Sequence, residues 1–201
     1  MQIRHNDDLL LVIDVQNDFC PGGALAVQNG DEVVPVLNRY IERFLDAGLP
    51  IFATRDWHPI RTSHFKVYGG IWPVHCVQGT HGAEFHPDLR LAPEITIVSA
   101  GMAPDEDGYS GFLGRDSTGT LLAVLLRDRG VDRFFVGGLA TDYCVKHTVL
   151  DGIQQGFQVV LIGDAVRGVN LNPDDSTQAI KEMSAAGAIV VREADTIDLH
   201  A

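Results

Sequence analysis

The strongest constraint on the fold is a regular alternation of short β-branched runs with longer stretches of helical spacing. Residues 9–15 (LLLVIDV) are apolar apart from Asp14, as expected of a strand buried on both faces. Residues 31–47 have helical spacing, with Val33, Val34, Leu37, Ile41, Phe44 and Leu45 on one side and Gly48 as a stop. Further strands are predicted at 50–54, 95–99, 133–136, 158–162 and 188–191. Further helices are predicted at 117–128, with Ser117 as a cap, at 141–155, and at 173–186 with Pro173 near the first turn. This order predicts an α/β fold: a three-layer αβα, Rossmann-like arrangement with a mostly parallel six-stranded sheet and helices on both faces.

A length of 201 residues fits one domain spanning 1–201. Residues 56–93 break the rhythm. They are rich in His, Gly, Pro and aromatic side chains, and an irregular insertion of that length is usually functional or disordered. Its Trp, Phe and Cys content argues against disorder. The formal net charge of −12 disfavours nucleic acid and anionic membranes as partners. No apolar run reaches transmembrane length, and residues 1–5 lack a signal-peptide core. The three cysteines, Cys20, Cys76 and Cys144, are odd in number and widely spaced, which fits a reducing cytoplasm better than a disulfide framework.

Ligands of open α/β sheets bind at the carboxyl ends of the strands. The polar residues expected there are Asp14, Gln16, Asn17 and Asp18, then Arg55, Asp56 and His58, then Ser99, and finally the run Gly137-Gly138-Leu139-Ala140-Thr141-Asp142-Tyr143-Cys144. Cys144 falls in the first turn of a predicted helix, where unpaired amides and the helix dipole favour a thiolate. The same amides could hold an oxyanion during acyl transfer. A lone buried cysteine is equally often structural, so position alone leaves both readings open. Asp14 could serve as the base toward that thiol or anchor a loop. Asp56, His58, His64 and His75 supply one carboxylate and three imidazoles within the insertion, a donor set suited to zinc, manganese or iron(II). His81 and His86 fall in the same segment, so a loop merely rich in histidine is the competing reading.

Together these residues resemble one family. The blocks Asp14-Val15-Gln16-Asn17-Asp18-Phe19-Cys20-Pro21-Gly22-Gly23, Arg55-Asp56-Trp57-His58-Pro59, Trp72-Pro73-Val74-His75-Cys76, Asp107-Gly108-Tyr109-Ser110-Gly111-Phe112 and Gly138-Leu139-Ala140-Thr141-Asp142-Tyr143-Cys144-Val145 look like the signatures of nicotinamidases, within the isochorismatase-like cysteine hydrolases. The resemblance covers nearly the whole chain. It implies hydrolysis of nicotinamide to nicotinate and ammonia in NAD salvage, with pyrazinamide as an alternative substrate. It implies Cys144 as nucleophile and Asp14 as proton-transfer group. It also implies an oxyanion hole from the amides of Ala140 and Cys144, after a cis Leu139–Ala140 bond. Asp56, His58 and His75 become metal ligands with His64 as an optional fourth, and zinc ranks ahead of iron and manganese. Phe19, Trp72, Tyr109 and Tyr143 would line the pocket around a flat ring. A cytoplasmic homodimer is the default assembly.

One position departs from the pattern. The resemblance places a catalytic lysine at the end of the third strand, where this chain has Ala100. Its only lysines are Lys66, Lys146 and Lys181, and Lys66, in the insertion, is the one conceivable substitute. Loss of the ammonium would leave Asp14 protonated more readily and Cys144 a thiol, so reduced activity is expected. Two other readings stand beside a nicotinamidase: another isochorismatase-like amidase, and a non-catalytic nicotinamide-binding protein.

Overall fold

Strand β1 (Asp8–Ile13) is buried at every residue, which puts it in the middle of a sheet rather than at an edge. The computed structural model describes residues 8–192, so the expectations for residues 1–5 and for the last residues of the 1–201 span lie outside it. The other strands are β2 (Ile51–Asp56), β3 (Thr96–Ala100), β4 (Arg133–Leu139), β5 (Gln158–Arg167) and β6 (Ile189–Val191). They form one six-stranded sheet in the order β3-β2-β1-β4-β5-β6. Every adjacent pair is parallel.

The period of two along the strands divides the core. Leu9, Leu11 and Ile13 join Phe52, Phe134 and Val136 on one face, beneath α2 (Leu122–Asp128), α3 (Lys146–Gln154) and α4 (Asp175–Ala186). Leu10 and Val12 join Ala53, Phe135 and Val160 on the other, beneath α1 (Val33–Asp46) and part of the insertion. The six-stranded three-layer αβα reading is therefore observed. At the amino end, Arg133 Nε and Nη2 donate to the Asp8 carboxylate at 2.7 and 2.6 Å, a buried bidentate pair between register partners of β1 and β4. Nothing in the local sequence pattern signals it.

Three local expectations need correction. Ser117 caps no helix, because α2 begins at Leu122 and its N-cap is Leu121. Asp116 instead accepts from the amides of Thr118 and Thr120 and closes a turn there. The predicted helix at 141–155 begins as a π-helical turn, Thr141–Val145, before α3. Strands β4 and β5 run on to Leu139 and Arg167, past the predicted ends at 136 and 162.

The chain turns from β1 to β2 and β3 on one side and places β4, β5 and β6 on the other. The crevice outside the carboxyl ends of β1 and β4 is thus the switch point where such sheets bind ligands.

Candidate active site and metal centre

Asp14 leaves β1 in a left-handed conformation (φ 48°) and is 3% exposed. Its Oδ1 accepts a 2.5 Å hydrogen bond from Thr54 Oγ1 on β2. Cys144, also buried, hydrogen-bonds to the same carboxyl group. The chain reaches Cys144 through Gly138, where φ is 131° and a Cβ would stand 2.0 Å from the Ile13 carbonyl oxygen, so only glycine fits. The Leu139–Ala140 peptide bond is cis. The Ala140 backbone N–H points at the Cys144 sulfur.

Electrostatics here run against the simple helix-terminus expectation. Burial pushes the Cys144 thiol well above its usual range, and the Asp14 and Asp56 carboxylates push it further, outweighing the Ala140 amide. Burial, then the charge of Asp56, raises Asp14 to about 8. Burial also pushes Asp56 up, but hydrogen bonds from His58 and His75 outweigh it and hold that carboxyl at about 2.

The insertion folds its histidines inward. Donor atoms of His58, His64 and His75 lie within 4.8 Å of one another, and all three residues are buried. Asp56 Oδ2 lies 3.4 Å from His58 Nε2 and 3.6 Å from His75 Nε2. The other ring nitrogens are committed to backbone: His58 Nδ1 to the Gly101 carbonyl at 3.0 Å, and His75 Nδ1 to the Pro73 carbonyl at 2.8 Å. That outer contact aims each Nε2 into the cluster. His58 Nε2 and Asp56 Oδ1 are buried with no hydrogen-bond partner. Three imidazoles, a carboxylate and orphaned donor atoms fit a divalent metal ion. Gly101 (φ 65°) is required because a Cβ there would stand 2.5 Å from the His58 ring. His81 is exposed and His86 pairs with the Asp88 amide, so neither joins the cluster.

A cavity with about 300 Å³ between its walls, counting its mouth, connects the cysteine to the histidines. Phe19, Trp72, Tyr109 and Tyr143 all line it, as expected, together with Leu25 and Val169, which the sequence reading missed. Trp72 Nε1 donates to the Tyr109 hydroxyl at 2.6 Å and fixes two of the walls.

Gln16, Asp18 and Asp142 were expected at the crevice without an assigned role, and each supports the site. Gln16 Nε2 donates to the Asp56 and Ala83 carbonyls at 2.8 and 2.9 Å, while its Oε1 accepts from the Asp56 amide at 2.8 Å. Asp18 Oδ2 accepts from the Cys76 amide at 2.7 Å and holds the histidine loop. Asp142 accepts from the amides of Val169 and Asn170 at 2.9 and 2.8 Å. The only available signal was that these polar residues sit within two to four positions of Asp14 or Cys144.

Ala100 is buried and in register with Asp56. Lys66 does not substitute for a lysine there: it is exposed on a 3-10 turn. Lys146 pairs with Glu182 at 3.4 Å, and Lys181 is exposed.

A parallel α/β sheet that gathers a thiol, a carboxyl and a metal-donor cluster at one switch point defines a hydrolase class. The chain belongs to the isochorismatase family: residues 8–195 match the Isochorismatase domain. It is 44% identical over 203 residues to the nicotinamidase of Escherichia coli (strain K12), covering 92% of this chain and 95% of that one. The crystal structure of the pyrazinamidase of Pyrococcus horikoshii in complex with zinc superposes with a TM-score of 0.85 at 45% identity, over 92% of this chain and 99% of that one. The structure of the L. infantum protein in complex with nicotinate gives a TM-score of 0.87 at 32% identity, over 98% of each chain.

Proposed function

We propose that this chain is a nicotinamidase, a single hydrolase domain that converts nicotinamide to nicotinate and ammonia and accepts pyrazinamide. The observation that carries the reading is the Cys144–Asp14 contact at the floor of an aromatic-walled cavity whose other end is the Asp56/His58/His64/His75 cluster. The 44% identity to a nicotinamidase over nearly the full length supports the choice of amide.

Asp14 takes the Cys144 proton as the sulfur attacks the carboxamide carbon. The amides of Ala140 and Cys144 hold the oxygen that becomes negative. Asp14 returns the proton to the amine nitrogen, the C–N bond breaks, and ammonia leaves a thioester on Cys144. Asp14 then accepts a proton from water, which attacks the thioester, and nicotinate leaves as the thiol reforms. Phe19, Trp72, Tyr109 and Tyr143 stack around the flat ring and exclude bulk water. A divalent cation, zinc in our reading, held by Asp56, His58 and His75 with His64 as a fourth ligand, would supply a Lewis acid toward the pyridine nitrogen.

Ala100 gives this site no ammonium beside Asp14, so turnover is slower than the rest of the site would support. The three buried free cysteines suit a reducing cytoplasm, and a homodimer is the assembly we assign. Ammonia release from nicotinamide by the metal-loaded protein tests the reaction. No release, even after Ala100→Lys, would favour a nicotinamide-binding protein without turnover.

A further inference from the structure

The metal-donor cluster is buried, so an ion needs a route to it. Asp56, His58 and His75 are 4%, 0% and 2% exposed, and His64, at 9%, is the outermost of the four. The His64 ring is also held differently. His58 and His75 each fix one ring nitrogen on a backbone carbonyl, whereas the His64 ring forms no hydrogen bond among the described residues. Its neighbours are other rings: His58, stacked at 4.7 Å between centroids, and Tyr109, tilted at 5.3 Å. His64 can therefore turn without breaking a hydrogen bond, and the other two histidines cannot.

His64 lines two cavities. One is the aromatic-walled cavity that holds Cys144. The other, about 430 Å³ counting its mouth, is lined by Ile71 and by the carboxylates of Asp105, Glu106 and Asp107, all exposed. Ser63 ties its walls together, donating from its amide and its hydroxyl to the Pro104 carbonyl at 2.8 and 3.2 Å. Among the described residues, no lysine or arginine lines this pocket. The His64 imidazole feels the charge of Asp56, inside the cluster, and of Asp107, in the pocket.

The two routes differ for a hydrated dication. The aromatic cavity offers Phe19, Leu25, Trp72 and Val169, which replace none of the waters an ion gives up, and it leads past the Cys144 sulfur, itself a zinc ligand. The acidic pocket offers carboxylate oxygens and a negative potential that concentrates cations at its mouth.

We propose that Asp105, Glu106 and Asp107 form the port through which a divalent metal ion reaches the cluster, with His64, the unanchored ligand, at its inner end. The port presupposes that the histidine cluster is a metal site. Its test therefore reads how fast metal enters, apart from whether it binds.

Protein stripped of metal, checked for fold by circular dichroism, is mixed with zinc chloride at about 20 mM ionic strength, and uptake is timed against a zinc-sensitive dye. Asp105→Asn, Glu106→Gln and Asp107→Asn are made together. Their amide oxygens can still accept from the Ala103 and Tyr109 amides, as Glu106 and Asp107 do, so charge is lost and the loop is kept. Uptake should slow by about fivefold or more, and the gap should close to under about twofold in about 0.5 M salt. Ile71→Glu should speed uptake and Ile71→Lys should slow it, by about threefold each. The control is Glu42→Gln with Asp46→Asn and Asp128→Asn. It removes the same charge from exposed positions on α1 and α2, near the turns into β2 and β4 at the opposite end of the sheet, and should match the parent.

Parental uptake in the Asp105/Glu106/Asp107 variant, equal slowing in the control, or Ile71 variants that move the rate in one direction overturns the port. A parent chain that takes up no zinc overturns the metal reading, and the port with it. If stripping unfolds the chain, release from the zinc-loaded protein into excess chelator decides. An ion in the pocket is nearer the three carboxylates than a bound one, so their neutralisation should slow release by about twofold or more. Unchanged release, or the faster release expected of weaker binding alone, overturns the proposal.

Discussion

Ala100 stands in register with Asp56 across the β2–β3 pair, so a methyl group flanks a carboxylate that has one unpartnered oxygen. The same carboxylate pushes up the Asp14 and Cys144 protons. A cationic side chain at position 100 would oppose both effects.

Ala100→Lys should therefore raise kcat/KM for nicotinamide by about 100-fold or more, with most of the gain in kcat. Ammonia release at several substrate concentrations measures it. An unchanged kcat would mean that Ala100 is not the defect.

Asp14 carries its own pH signature. Its pKa rises from 3.8 to about 8 on folding, so the folded state holds the proton more tightly. In metal-stripped protein its contribution to stability is complete below about pH 4 and is lost as pH rises through about 8. Asp14→Asn cannot ionise, so it should gain in melting temperature relative to the parent as pH is raised from about 6 to 9. Parallel curves across that range would show that Asp14 does not titrate there.

Thr54 offers a milder perturbation. Its hydroxyl gives Asp14 a 2.5 Å hydrogen bond from the neighbouring strand. Thr54→Val keeps the buried shape but removes the donor, and should lower kcat by about tenfold with little change in KM. Circular dichroism checks that the fold is kept. A change confined to KM would contradict a role through Asp14.

The Thr54 contact marks where sequence reasoning reaches its limit. The alternation of strands and helices, and the polar residues at the strand ends, were legible because burial on both faces leaves near-continuous apolar runs, and chemistry gathers where those runs end. Thr54, Leu25 and Val169 were not, and neither were the partners of Gln16. Thr54 meets Asp14 across 40 positions, and Gln16 meets Ala83 across 67, so both depend on strand register and on how the insertion packs. The late start of α2 escaped for a local reason, because Asp116 binds the amides that Ser117 was expected to cap.

Metal binding should follow the donor list. His58→Ala or Asp56→Ala should remove stoichiometric zinc, measured by elemental analysis after dialysis, and His64→Ala should weaken retention without abolishing it. Gly101→Ala should also lose metal, because its Cβ would displace the His58 ring and the backbone there is left-handed. Full zinc occupancy in His58→Ala would remove that residue from the donor set.

The claim on which the rest depends is that Cys144 is the nucleophile. Ammonia release by Cys144→Ala, measured beside its parent both in this chain and in the Ala100→Lys background, tests it most directly. Release should fall to the uncatalysed background in each case. Release by Cys144→Ala at the parent's rate would contradict it.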